Sequence, residues 1–273
     1  MTLEKRHCEA LVDFHRSASA LALPFMVVGA VARDLALERL GERASRRTLD
    51  VDVAVQVGGW ETFDRLVHDA TGGSGRFHPD AAPHRIIHRN GVPVDVIPFG
   101  GVEAAAGRID WPQGGASMSV DGFDDALRSA LTAKLSDTVE IGVADLVSLA
   151  FMKCRAFSER GDMDAKDLVD LVDLLRARSS AVTVDDEIAL ARDPHSDDRG
   201  SHGGAYLLGL DVRERFGDTA CESIRRSFED AHDPLSSTVD RAVPRRSWDP
   251  ESVVVEVSGL LSSFRKGLSR AQP

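Results

Sequence analysis

Two aspartates one residue apart form the pattern with the clearest chemical use. Asp50 and Asp52 alternate with valines at positions 51, 53, 55 and 57, which is the period of a strand with one apolar and one polar face. Both carboxylates therefore project from the same face, where they repel each other unless a cation neutralises them. Hard oxygen ligands of this kind suit Mg²⁺. An Asp-x-Asp pattern alone is common at strand ends and turns, so the metal site needs support from other parts of the chain.

A glycine between a strand and a helix provides the first support. Residues 25 to 28 form a short apolar run, Gly29 interrupts it, and Ala30 to Leu40 carries helix-forming residues up to Gly41. The free N–H groups and the dipole at the start of such a helix can hold a phosphate. The alternative is a plain glycine turn with no ligand.

A third carboxylate lies on a different predicted strand. Residues 84–89 and 92–97 flank Asn90-Gly91, which is a strong signal for a hairpin with a two-residue turn. Asp95 is opposite in phase to Val94 and Val96, so it could converge on the same ions and accept a proton. The alternative is an exposed strand aspartate.

A lysine within an apolar helical stripe is the last candidate. Lys153 lies at the centre of the stripe on a helix predicted over residues 144–157, and lysine is rare in this chain. It either extends out of a core or faces a bound anion, and its rarity favours the anion. On the next predicted helix, 165–177, Asp167 lies at the border of the apolar stripe, whereas Asp170 is expected to face solvent.

The elements that must position these residues indicate two compact parts. The chain has 273 residues, 42% hydrophobic and 28% charged, enough for a sizeable core at the border between one domain and two. The first half alternates strands, helices and glycine-rich loops, while the second half has helical periodicity. We expect an α+β fold, with a mixed-sheet domain over residues 1–142 and a helical domain over residues 143–273.

Charge and composition restrict location and partners. The net charge of -11 argues against a surface of positive potential for long-range capture of nucleic acid. Local arginines still permit a polyanionic ligand; they are Arg43, Arg46, Arg47, Arg225, Arg226, Arg241, Arg245 and Arg246. Neither a long apolar run nor a signal-peptide pattern occurs, and the three cysteines are scattered, so we expect a cytoplasmic protein that binds no membrane and has buried, inert thiols.

The motifs together resemble a known group of enzymes. The chain is similar to the nucleotidyltransferase superfamily with the DNA polymerase beta type of fold, and most closely to bacterial AbiEii-like nucleotidyltransferases, which include toxins of toxin-antitoxin systems. The resemblance spans about residues 25 to 178. It rests on residues 28–34, on Asp50-Val51-Asp52, on residues 94–100, and on Lys153 with Arg160 and Lys166-Asp167.

The resemblance implies a role for each candidate. Asp50, Asp52 and Asp95 would bind two Mg²⁺ or Mn²⁺ ions. Nucleotide binding would involve Gly29, Ala30 and Arg33, and Lys153 and Asp167 would serve the nucleotide from the helical domain. Many members carry Gly-Gly or Gly-Ser where this chain has Gly29-Ala30, so backbone N–H groups would replace the serine hydroxyl.

The implied reaction moves a nucleotidyl group from an NTP to a hydroxyl. The acceptor could be RNA, such as the 3′ end of tRNA, or a protein side chain as in AMPylation, or a small molecule. A toxin would also have a cognate antitoxin protein as a partner. A non-catalytic member of the fold that binds a nucleotide or a partner is the alternative of another class.

Overall fold

The fold is known from a computed structural model that describes residues 3–43, 48–73, 75–104, 107–112, 117–160, 166–193, 196, 201–230 and 250–269. Two compact units divide the chain: Met1–Ala36 with Ala44–Leu149, and Leu37–Arg43 with Ala150–Pro273. The predicted α+β class is confirmed, since a mixed sheet lies in the first unit and the second unit is helical.

Strands and helices alternate along the first unit. In chain order the elements that begin in it are α1 (Lys5–Ala20), β1 (Phe25–Val28), α2 (Gly29–Arg39), β2 (Val51–Val57), α3 (Trp60–Thr71), β3 (Phe77–Pro79), β4 (Arg85–His88), β5 (Pro93–Gly100), β6 (Arg108–Asp110), β7 (Ser117–Ser119), α4 (Phe123–Arg128), β8 (Leu131–Lys134), β9 (Glu140–Val143) and α5 (Leu146–Arg160). The strands β1, β2, β4 and β5 and the helices α2 and α5 lie near positions that the sequence predicted, whereas α1, α4, β3, β6 and β8 were not predicted.

The main sheet has seven strands in the order β3-β4-β5-β2-β1-β9-β8. The central strand β2 pairs parallel with β5 and antiparallel with β1, and β1 pairs parallel with β9. The strand β7 lies apart, because it pairs with β6 in a separate two-stranded sheet.

Alternation along the central strands separates a core face from a polar face. Every second residue of β2 from Val51 to Val55 is fully buried, as are Val94 and Val96 of β5. The helix α3 packs against β2 and also contacts α1, and it buries Phe63 and Leu66. Because strand side chains alternate, burial of the valines directs Asp52 and Asp95 to the opposite face.

The predicted hairpin is present, but its loop is longer than expected. The register pairs Ile87 with Pro93, and the His88 amide donates to the Val92 carbonyl at 2.8 Å, so three residues rather than two form the loop. Asn90 in this loop donates from Nδ2 to the Arg6 carbonyl of α1 at 2.9 Å. The loop is thus tied to a helix as well as closing the hairpin.

The second unit consists of packed helices. Beyond α5 it contains α6 (Lys166–Ser180), α7 (Val184–Arg192), α8 (Gly203–Asp230), which is broken at Gly217, and α9 (Pro250–Ser269). The backbones of α8 and α9 approach closely, since a Cβ at Gly267 would lie 2.3 Å from the Tyr206 carbonyl oxygen. Among the residues described, no helix is long and apolar enough to cross a membrane.

Candidate active site

The strand register brings Asp52 and Asp95 side by side. They are Cα partners in the parallel pairing of β2 with β5, so both side chains project from the same face at adjacent positions. Asp50 lies two residues before Asp52, at the entry to β2. The alternation of side chains along each strand predicted that the aspartates lie on the polar face. That Asp52 and Asp95 are neighbours depends on the pairing of β2 with β5.

The glycine turn after β1 lies directly against Asp52. Val28, the last residue of β1, is the antiparallel partner of Asp52, and Gly29 follows with a φ of +63°. A Cβ at Gly29 would lie 2.0 Å from Oδ2 of Asp52. Glycine is thus required both for the backbone conformation and for space to hold the carboxylate.

The start of α2 remains accessible beside this carboxylate. Gly29 and Ala30 are both half-buried, and the first amide groups of a helix lack partners within the helix. A site with amide donors next to carboxylates can bind an anion together with a cation.

Arg85 of β4 holds Asp95 through two hydrogen bonds. Its Nε donates to Oδ1 of Asp95 and its Nη2 to Oδ2 of Asp95, both at 2.6 Å. Nη2 also lies 3.8 Å from Oδ2 of Asp50. The hydrogen bond to Asp95 is the main cause that raises the pKa of Arg85 above its ordinary value, so the guanidinium stays charged.

The described residues contain no ready metal cage. Within them, no group of three or more His, Cys, Asp or Glu side chains is placed to hold a metal ion. Yet the donor type suits Mg²⁺, the register gathers the carboxylates on one face, and Gly29 leaves room for Asp52. By donor chemistry the carboxylates suit a divalent cation, although Asp95 is paired with Arg85 in this structure.

Arg33, which was predicted to bind nucleotide, lies on α2 next to Asp34. It is fully buried, and its Nη2 donates to Oδ1 of Asp34 at 2.6 Å. The Thr48 hydroxyl donates to Oδ2 of Asp34, also at 2.6 Å. The Thr48 contact ties α2 to the segment that leads into Asp50.

Lys153 and Asp167 meet in the second unit as part of a buried ion cluster. Lys153 Nζ lies 2.9 Å from Oδ1 of Asp167 and 2.7 Å from Oδ2 of Asp170. The exposed fractions of the three side chains are 12%, 8% and 0%. The expectation that Asp170 faces solvent was therefore wrong: α6 is covered on that side, and Lys153 compensates the buried charge.

Burial and charge have opposite effects on Lys153. Burial lowers its pKa and is the largest single cause, but the charges of Asp167 and Asp170 outweigh it, so the pKa is raised overall. The ammonium group is held in its charged form.

Several predicted arginines lie outside the described residues or are already paired. Arg46, Arg47, Arg241, Arg245 and Arg246 are not among the described residues, nor is the side chain of Arg160. Arg225 and Arg226 both form ion pairs with Glu222, which reduces their capacity to attract a polyanion.

Sequence reasoning missed Arg85, because its pairing with Asp95 depends on the length of the hairpin loop. Once the hairpin loop is known to have three residues, the antiparallel register pairs Arg85 with Asp95. With the two-residue turn that Asn90-Gly91 usually forms, the register would shift and the pair would be lost.

Comparisons with known proteins include a distant structural likeness. No protein-family model matches the chain, and no curated protein matches it. A solved structure of a CCA-adding enzyme in complex with ATP is similar at 12% sequence identity, over 97% of this chain and 81% of that chain, with a TM-score of 0.25. A TM-score this low shows nothing about the function of this chain.

Proposed function

We propose that the chain is a metal-dependent nucleotidyltransferase that moves a nucleotidyl group from an NTP to a hydroxyl acceptor. The observation that carries the proposal is the contact between the glycine turn and Asp52, beside Asp95 on the neighbouring strand. A phosphate-binding turn and metal-binding carboxylates must lie side by side in such an enzyme, because a cation held by the carboxylates would have to neutralise the charge of the triphosphate.

The residues of the site have different roles in the proposed reaction. Asp50, Asp52 and Asp95 would hold Mg²⁺ or Mn²⁺, which supplies charge neutralisation at the phosphates and acidifies the attacking hydroxyl. The amides of Gly29 and Ala30 bind triphosphate oxygens. Asp95 accepts the proton of the acceptor hydroxyl.

Lys153 and Asp167 have a supporting part in the proposal. The ion pair at 2.9 Å holds a cationic group on the helical unit. The resemblance assigns Lys153 and Asp167 to nucleotide binding, and in the structure the two form a buried ion cluster with Asp170.

Labelled nucleotides test the proposal. The full chain is incubated with each α-labelled NTP, Mg²⁺ or Mn²⁺, and RNA and protein extracts, with Asp52→Asn as the matched inactive control. Label in RNA identifies an RNA acceptor, such as tRNA, and label in protein identifies nucleotidylation of a side chain. Absence of metal-dependent label with every NTP contradicts the proposal.

One observation favours a second candidate, a non-catalytic nucleotide-binding protein. Arg85 already neutralises Asp95 through two hydrogen bonds, as in a structural ion pair. Calorimetric titration with NTP in the presence and absence of Mg²⁺ separates the two candidates. Metal-independent NTP binding without transfer supports the second.

A further inference from the structure

Arg85 contacts two of the three carboxylates that the proposed reaction needs. We infer that Arg85 is a counter-ion gate: it holds Asp95 and Asp50 while no cation is bound, and it must leave them before a divalent cation binds. The inference rests on the proposed function, because it takes these aspartates to be metal ligands.

Geometry supports competition between the guanidinium and a cation. Both oxygens of Asp95 accept from Arg85 at 2.6 Å, and this two-point contact directs the charged fork to the edge of the carboxylate. Mg²⁺ binds oxygen at about 2.0–2.1 Å and requires near-ideal octahedral positions. A cation that uses Asp95 and Asp50 together would lie where Nη2 approaches both.

Electrostatics leads to the same conclusion. Three carboxylates with Arg85 attached attract a dication less than three carboxylates alone, and the two cations repel each other at short range. An arginine guanidinium keeps its proton in proteins, so loss of that proton does not open the site. Release must occur by movement of the side chain.

The surroundings of Arg85 allow that movement. Its side chain is 34% exposed, and it lies on β4, next to the edge strand β3. The exposed Asp80, just after β3, also contributes favourable charge to Arg85. A guanidinium that leaves Asp95 can therefore move toward solvent and toward the carboxylate of Asp80.

Mn²⁺ titration of the full chain without nucleotide tests the gate. Free Mn²⁺ is measured by electron paramagnetic resonance for the wild type, Arg85→Ala and Arg85→Gln, with Arg65→Ala as the control. Arg65 is an arginine of the same unit that pairs only loosely with Asp69, at 3.7 Å, so its loss changes net charge equally without touching the site. Arg85→Gln keeps amide donors, and thermal melts identify which variants are folded.

We expect both Arg85 variants to bind Mn²⁺ on the order of tenfold more tightly than wild type, while Arg65→Ala binds as wild type does. Asp52→Asn added to Arg85→Ala should abolish the gain, which places the ion at this site. Equal or weaker Mn²⁺ binding by the folded Arg85 variants overturns the gate. If the wild type binds Mn²⁺ and transfers nucleotide, that result leaves the proposed function intact. If wild type and variants all fail to bind Mn²⁺ and no transfer occurs, both inferences are wrong.

Discussion

Gly29 lies so close to the carboxylate of Asp52 that no side chain fits at position 29. A Cβ at position 29 would lie 2.0 Å from Oδ2 and 2.6 Å from Cγ of Asp52. The strand β1 that ends in this turn is the antiparallel neighbour of β2. A change at Gly29 must therefore move either the turn or the carboxylate.

The first prediction concerns Gly29→Ala. We expect loss of nucleotidyl transfer and of metal binding, because the methyl group displaces Asp52, together with a lower melting temperature. Gly73→Ala is the matched control, since Gly73 has a φ of +72° but nothing within 4 Å of an added Cβ. The control should lose only the cost of left-handed backbone, about 1–2 kcal/mol. Transfer by Gly29→Ala at the rate of Gly73→Ala would contradict the phosphate-turn assignment.

The second prediction separates the carboxylates by their effect on stability. Asp52→Asn and Asp95→Asn should each reduce transfer by roughly 100-fold or more if they hold the cation. Asp95→Asn should also cost about 1 kcal/mol or less of stability, because it removes the partner of a partly exposed Arg85. Melting curves and single-turnover transfer measure the two effects. Wild-type transfer by either variant would exclude that residue from the metal site.

Local periodicity accounts for the parts of this site that the sequence predicted. The valine alternation of β2 and β5 defined the polar face, and the apolar run before Gly29 indicated the strand and turn. These are consequences of backbone period and glycine conformation, which neighbouring residues determine.

Partners that depend on tertiary register were not predictable in the same way. The opposition of Arg85 to Asp95 depends on one additional loop residue, and Asn90 helps to hold that loop by bonding to α1. Burial of Asp170 depends on how α6 packs against its neighbours, which helical periodicity within α6 does not specify.

The third prediction concerns thiol reactivity. Cys154 and Cys221 are 1% and 2% exposed, and burial raises the pKa of Cys221 to about 11 and that of Cys154 still higher. Cys8 is half-buried, although burial raises its pKa too. At pH 8, Ellman's reagent should modify Cys8 first and the other two only on unfolding, because the thiolate is the nucleophile. Cys8→Ser should remove the first phase; persistence of that phase would contradict the assignment.

The fourth prediction reverses what a lysine in an apolar stripe suggests. Without the contacts, Lys153→Ala would be expected to leave stability unchanged or slightly higher. Because Lys153 compensates the buried Asp167 and Asp170, its removal should instead cost about 3–5 kcal/mol. Lys153→Ala with Asp170→Asn should recover part of the loss, and Lys134→Ala, an exposed control, should cost little. Unchanged denaturation midpoints for Lys153→Ala would contradict the compensation.

The fifth prediction is the pH dependence of that compensation. The pKa of Lys153 is higher in the folded chain than its ordinary value of 10.5, so the folded state retains the proton at pH values where the unfolded state loses it. Its contribution is complete below about pH 10.4 and is lost as the pH rises through the folded pKa. The difference in unfolding free energy between wild type and Lys153→Met should therefore be constant from pH 8 to about 10 and shrink above that range. Titration of Cys154 and Cys221 affects both proteins alike and cancels in the difference. Denaturant unfolding of both proteins at a series of pH values measures this difference. A difference that grows with pH would show that the carboxylates do not hold Lys153 in its charged form.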